Sequence, residues 1–354
     1  MRNSLLSLAA ALALAAGAAA PAGAAVSPEE EKLYREAKKE GEVDFRGPTE
    51  RTSFINVARA WSKRYPDVKL KYSRNPTGRL VKAIEAEFRA GKLTHEVVHV
   101  TDPVILVKWK KQGRLLSYKS PYYADYEPQY LDKDFTFAAM GVTPMLPLVN
   151  KKYVESIGMK PGDFKCYKDF LNPKFSGKQV VTHANAGGTA LFAAMRMTEL
   201  FGWEFHETLR KHNILLGATA GVTTSMVIKG ERPVTYAVTG YRALEHGQDP
   251  KKGVFTFWPC EGAVMINFAM TILKEGAARH PNAARLLVTW LSSKEGQENI
   301  VEHAHFFSGR KDVKPVPGAQ PLHTYKNLWW PDLEKAIQEH DPFLKKFDQV
   351  YGLK

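Results

Sequence analysis

Residues 43–102, VDFRGPTERTSFINVARAWSKRYPDVKLKYSRNPTGRLVKAIEAEFRAGKLTHEVVHVTD, decide the fold class. Short apolar runs at 43–45, 68–72 and 96–100 are typical of strands. The segments between these runs place apolar residues three and four positions apart, which predicts helices. Alternating strands and helices predict an α/β fold with a mainly parallel sheet and helices on both faces.

The same alternation returns in the second half of the chain. It predicts a strand at 179–182, helices at 187–200 and 223–230, and a strand at 234–238. Two extended segments, 135–150 and 262–273, separate the two α/β stretches. We expect them to cross between two lobes as hinge strands, leaving a cleft that closes around a ligand.

The predicted domain organisation follows from those crossings and from the length of the chain. About 330 residues after the leader are more than one core usually holds. Lobe 1 comprises 26–137 plus 262–315, and lobe 2 comprises 138–261 plus 316–354. Loops at the carboxyl ends of the strands line the cleft, where open α/β sheets bind ligands.

Residues 1–25 predict a secretory signal peptide. Arg2 supplies a positive charge, an apolar run follows at 5–20, and small residues lead to Ala25, near which we expect cleavage. The run is short and Ala-rich for a membrane span, which needs ~20 strongly apolar residues. The expected location is therefore the periplasm.

Charge and cysteine content narrow the class of partner. The chain has 50 Lys and Arg against 37 Asp and Glu, a net charge of +13, and loses one positive charge with Arg2. The basic residues are spread out rather than clustered, which argues against a nucleic-acid partner, as does export. The net positive charge either has no specific role at the surface or creates a field that attracts an anionic ligand. Cys166 and Cys260 lack metal-site spacing and are either a disulfide or two buried thiols.

Candidate ligand-binding residues lie where predicted strands end and helices begin. Such helix N-termini present free N–H groups and suit anions. For Thr77 the alternative is a helix N-cap, and Asp102 either caps the next helix or faces the cleft. The candidates are Thr49, Glu50, Arg74, Thr77, Gly78, Asp102, Gly187, Gly188, Thr189, Thr223, Thr224, Tyr236, Tyr241 and Arg242. We expect Arg74 and Tyr241 to contact the ligand from opposite lobes.

Catalytic signatures do not match. The chain has no GxSxG motif, and the next histidine after His206-Glu207 is His212, which misses the HExxH spacing. His303 and His305 alone are a weak metal motif. The sequence therefore predicts a binding protein rather than an enzyme, with a secreted α/β enzyme and a ligand-dependent partner of a membrane sensor as alternatives.

Several segments, taken in order, resemble the bacterial extracellular solute-binding proteins of ABC importers, in the group that includes the ferric-iron-binding proteins. They span nearly all of the mature chain. The segments are 33–43 (LYREAKKEGEV), 84–87 (IEAE) with 90–92 (AGK), 169–178 (DFLNPKFSGK), 230–234 (GERPV), 280–284 (HPNAA) and 290–297 (WLSSKEGQ).

The resemblance implies a two-lobed type 2 periplasmic-binding fold that acts as a monomer, needs no cofactor and delivers its ligand to an ABC permease in the inner membrane. Ferric-binding relatives usually carry adjacent tyrosines near the last strand end. Here that position reads Gly240-Tyr241. A small organic anion, such as a phosphonate, sugar phosphate or carboxylate, is therefore preferred to ferric iron, for which Tyr241 and Glu50 would be the ligands.

Overall fold

The computed structural model describes residues 26–353, so the predicted signal peptide lies outside the described residues. The helices are α1 Pro28–Glu40, α2 Arg51–Arg64, α3 Thr77–Ala90, α4 Pro103–Lys111, α5 Lys151–Ser156, α6 Gly188–Phe201, α7 Glu204–Lys211, α8 Ala220–Lys229, α9 Gly240–Gln248, α10 Pro281–Ser292, α11 Lys294–Ala304 and α12 Leu333–Tyr351. The strands are β1 Glu42–Gly47, β2 Lys69–Arg74, β3 Val97–Val100, β4 Phe137–Asn150, β5 Val180–Thr182, β6 Leu215–Gly217, β7 Val234–Thr239, β8 Val254–Phe255 and β9 Val264–Ile272. Among these helices none combines the length and the apolar character that crossing a bilayer requires.

The first strands and helices form as their apolar periodicity predicts. Leu80, Ile84 and Phe88 lie on one face of α3, and all three are buried. The helix ends at Gly91, whose φ of 61° is a left-handed conformation that glycine adopts at low cost. The helix is therefore anchored by its apolar face and stopped by its C-cap.

The main sheet is mixed, which corrects the prediction of a mainly parallel sheet. Its strand order is β2-β1-β3-β9-β4-β7, with β8 also paired to β4. β1 pairs in parallel with β2 and β3, whereas β9 and β4 pair antiparallel with each other and with their neighbours. The reason is that one crossing strand leaves the first lobe and the other returns to it. Local sequence periodicity carries no information on that direction.

The two predicted hinge strands are β4 and β9. The first part of β4 pairs with β9, and its last part pairs with β7. The far end of β9 pairs with β3. Within the one sheet, these two strands therefore connect the strands around β1 to β7, as the predicted two-lobed fold requires. The residue boundaries of the lobes remain a prediction.

The hydrophobic core and a disulfide stabilise the fold. Trp61 of α2 and Trp290 of α10 meet edge to face, with ring centroids 5.6 Å apart, and both side chains are fully buried. Trp61 Nε1 also donates a hydrogen bond to the Val68 carbonyl oxygen at 2.7 Å. Cys166 and Cys260 form a disulfide, which decides between the two alternatives that the sequence left open.

Candidate ligand-binding site

A small cavity of about 50 Å³ lies where the two predicted lobes meet. This volume accommodates a few non-hydrogen atoms, about the size of one anionic head group. Its walls are Pro48, Arg74, Pro76, Thr77, Thr101, Thr182, Ala186, Thr189, Thr219, Ala220, Thr239, Tyr241, Arg242 and Phe268. Five of the predicted site residues line it: Arg74, Thr77, Thr189, Tyr241 and Arg242.

Glu50 joins arginines from the two predicted lobes. Arg74 Nη2 donates a hydrogen bond to Glu50 Oε1 at 3.0 Å, and Arg242 Nη2 donates to the same oxygen. Arg74 is the last residue of β2, and Arg242 lies in the first turn of α9. Closure of the lobes therefore brings two guanidinium groups together at one carboxylate.

Several polar atoms at the cavity are buried without a hydrogen-bond partner among the described residues. They include Nε of Arg74, Nε of Arg242 and Oγ1 of Thr239. A buried donor without a partner costs about 1–3 kcal/mol. A ligand with acceptor oxygens would remove that cost, because both arginine Nε atoms are donors only.

Helix N-termini surround the same space. Pro76, Gly187 and Thr239 precede α3, α6 and α9, and none of them makes a side-chain cap hydrogen bond. At the start of α8, Thr219 accepts a hydrogen bond from the Val222 amide. At α9, the Tyr241 amide donates to Thr143 Oγ1 at 3.1 Å. N-termini without a side-chain cap carry a partial positive charge, which suits an anion.

The predicted glycines lie at close contacts between the two predicted lobes. A side chain at Gly188 would overlap the carbonyl oxygen of Thr101, and one at Gly187 would come within 3.1 Å of Thr77 Cβ. On the opposite side, a side chain at Gly78 would lie 3.0 Å from the Asn185 carbonyl oxygen. These glycines therefore permit close backbone contact across the cleft.

Three predicted threonines support the walls. Thr49 is fully buried, and its carbonyl oxygen accepts a 2.7 Å hydrogen bond from Tyr72 Oη. The Thr223 hydroxyl lies 2.9 Å from that of Thr182, which lines the cavity. Thr224 Oγ1 donates to the Ala220 carbonyl oxygen at 2.8 Å.

Tyr236 is not among the residues that line the cavity. It is fully buried in the hydrophobic core, where its ring meets that of Phe205 edge to face at 5.3 Å. Every residue of β7 is buried, so alternation along this strand does not separate a core side chain from a cleft side chain.

Asp102 caps the next helix, the first of the two alternatives that the sequence left open, and it is not among the residues that line the cavity. Its Oδ1 caps α4 by accepting a 3.1 Å hydrogen bond from the Val104 amide. Its Oδ2 lies 3.3 Å from Nε2 of His340 on α12, so the carboxylate also pairs across the predicted lobe boundary. This pairing raises the pKa of His340 to about 9, because the charged imidazolium is stabilised by Asp102.

Sequence reasoning missed the lining residues Thr101, Thr182, Thr219, Thr239 and Phe268. The threonines could have been found, since Thr101, Thr182 and Thr239 each end a strand or directly follow one. Phe268 could not, because it lies in the middle of β9, where nearly every residue is buried.

Burial controls the protonation of the cavity walls. It raises the pKa of Tyr241, partly offset by the charge of Arg242 beside it. Burial opposes the charge on Arg242, but Tyr241 and Glu50 beside it raise the pKa of this guanidinium overall. The cavity therefore presents a neutral phenol and two guanidinium cations, a set of hydrogen-bond donors.

The charges at the cavity bear on metal binding. Two guanidinium groups line the cavity, and burial works against the phenolate form of Tyr241 that ferric ligation needs. Over residues 26–353, the one cluster of three His, Cys, Asp or Glu ligand atoms is Cys166, Cys260 and Glu261. Its two sulfurs are joined in the disulfide.

A larger cavity of about 400 Å³ lies apart from this site. Asn267 and Ala269 of β9 line the larger cavity, whereas Phe268 between them lines the smaller one. Met265 and Ile266 of β9 also line the larger cavity. Aromatic and apolar side chains dominate the larger one, and no arginine lines it.

Two lobes joined by two crossing strands, with a polar cavity between them, define a ligand-capturing protein of the periplasmic-binding class. Residues 94–339 match the family model described as bacterial extracellular solute-binding protein, well over half of the chain. The chain belongs to this family, which confirms the resemblance drawn from the sequence motifs.

Solved structures agree with the predicted fold. The periplasmic binding protein AfuA from Actinobacillus pleuropneumoniae, with exogenous fructose-6-phosphate bound, superposes with a TM-score of 0.77 at 23% identity, covering 89% of this chain and 99% of that chain. Iron-bound HitA from Pseudomonas aeruginosa gives a TM-score of 0.70 at 17% identity, covering 88% and 99%. An uncharacterized protein of Haemophilus influenzae is 26% identical over 251 residues, which are 68% of this chain and 70% of that protein.

Proposed function

We propose that this solute-binding protein captures a small organic anion in the cavity between Arg74 and Arg242. The observation that carries the proposal is that both guanidiniums, one from each predicted lobe, keep a buried Nε that has no hydrogen-bond partner within residues 26–353. A phosphonate, phosphate ester or carboxylate supplies oxygens that accept from both. Bound in this way, the solute connects the lobes and stabilises their closed arrangement.

We further propose that the chain acts in the periplasm as a monomer and delivers its solute to an ABC permease. This rests on the family and on the predicted signal peptide. AfuA, a periplasmic binding protein with a sugar phosphate bound, shares the fold. Members of the family are described as binding proteins, so we infer that the protein releases its solute chemically unchanged.

Thermal unfolding of the mature protein against a solute panel tests the proposal. The panel contains phosphonates, sugar phosphates, dicarboxylates, aromatic acids and ferric citrate. A ligand at about 100 times its dissociation constant stabilises the folded state by about 2.7 kcal/mol, which for this length raises the melting temperature by about 4 °C. We expect such a shift with one organic anion. A shift with ferric citrate alone, accompanied by tyrosinate colour, would contradict the proposal.

A further inference from the structure

The carboxylate of Glu50 does not do what its position in the chain suggests. Glu50 is the N-cap residue of α2, where a short side chain such as Asp or Ser would accept a hydrogen bond from the first turn. Here it makes no such bond, and its Oε1 accepts from Arg74 and Arg242 instead. The side chain is committed to the two arginines at the cavity.

This arrangement sets the charge of the site. Arg74 and Arg242 are the charged side chains of the cavity wall. With Glu50 paired to both, two positive charges and one negative charge leave a net charge of +1. Arg242 is well shielded from water, with 9% of its side chain exposed, whereas Arg74 and Glu50 keep 28% and 29% exposed. The charge on Arg242 is therefore balanced mainly within the site, and the net charge of the set bears directly on which anion binds.

Glu50 can stay in place while a ligand binds. It accepts from Nη2 of each arginine, and the other guanidinium nitrogens of Arg74 and Arg242 make no hydrogen bond among the described residues. A ligand that accepts from these remaining donors therefore binds beside a carboxylate that is still paired. One negative charge on that ligand neutralises the site, and a second negative charge is repelled by Glu50.

We propose that Glu50 is a specificity-determining residue that makes the site select a singly charged oxyanion group over a doubly charged one. This rests on the proposed function, because it assumes that an anion binds between the two arginines. It narrows the solute class to carboxylates, sulfonates, phosphodiesters and other groups that carry one charge.

Methyl sulfate and methyl phosphate are suitable probes, because they share a shape and differ by one charge at about pH 8, the second phosphate pKa being about 6. Calorimetric titration gives the ratio of their affinities for the wild type and for Glu50→Gln. We expect this substitution to shift the ratio toward methyl phosphate by about tenfold. Glu50→Asp keeps the charge, and Glu245→Gln removes a nearby exposed carboxylate; both should retain the wild-type ratio.

The outcomes separate this proposal from the function on which it rests. If both anions bind and Glu50→Gln changes their affinities by the same factor, Glu50 merely competes with the ligand and the selection proposal is wrong. If neither anion binds to either protein, the oxyanion site itself is wrong. A loss of folding in Glu50→Gln would show in its melting curve, in which case Glu50→Met, which also removes the charge at a similar length, carries the test, and a wild-type ratio in that variant would overturn the proposal.

Discussion

Replacing His340 by glutamine removes an ion pair that joins α12 to α4, and its cost should depend on pH. His340 Nε2 lies 3.3 Å from Asp102 Oδ2, and Nδ1 lies 2.7 Å from the exposed Asp341. Only 8% of the Asp102 side chain and 19% of the His340 side chain are exposed. Glutamine keeps a hydrogen-bonding group there but cannot carry the charge.

The magnitude follows from the pKa of His340, which Asp102 raises from 6.5 to about 9. The full difference corresponds to about 3 kcal/mol, and partial solvent screening reduces it to about 1–2 kcal/mol. Because the folded-state pKa is raised, this contribution is fully present below about pH 6.5 and disappears as the pH rises through about 9. For this chain length it amounts to about 2 °C in melting temperature.

The assay is the melting temperature of the wild type and of His340→Gln at about pH 6, 7.5 and 9.5. The wild type should have a higher melting temperature than His340→Gln at the two lower pH values. At the highest pH the two melting temperatures should be equal. Asp102→Asn removes the other charge of the pair, while asparagine still caps α4. Asp341→Asn should change the melting temperature little, because that carboxylate is exposed. A difference in melting temperature that stays constant from about pH 6 to about pH 9.5 would refute the ion-pair reasoning.

Two further predictions use the disulfide and the cleft glycines. The double substitution Cys166→Ser with Cys260→Ser should destabilise the protein by about 2–4 kcal/mol, because it frees a loop spanning 94 residues; equal denaturation midpoints of this variant and the oxidised wild type would contradict that. Gly188→Ala should weaken solute binding at least about tenfold with little change in melting temperature, since its methyl group meets the Thr101 carbonyl only when the lobes are closed. Small-angle scattering should show this variant more open, and a wild-type radius of gyration together with wild-type affinity would count against the closure argument.

Much of the fold could be predicted because the deciding signals are local. The apolar spacing in α3 and its glycine cap specify both the helix and its end. The extended character of 135–150 and 262–273 similarly identified β4 and β9. What remained out of reach was the pairing direction of these two strands, since a strand has the same periodicity whichever way it runs.

The site was predicted in part for the same reason. Arg74 and Arg242 lie near strand ends, a place that sequence reasoning can locate. The bridge that Glu50 makes between them needs the lobes to meet, so it depends on contacts between residues 192 positions apart. The fully buried β7 hides which of its side chains face the core, which is why Tyr236 was included among the candidates.

The central claim, that an anion is held between Arg74 and Arg242, is tested most directly by calorimetric titration of the strongest solute from the panel into the wild type and Arg242→Gln. Losing a charge-assisted hydrogen bond costs about 2 kcal/mol, so we expect the affinity to fall about 30-fold. Arg59→Gln, on the exposed side of α2, should bind as the wild type does. Equal affinity in Arg242→Gln and the wild type would contradict the account.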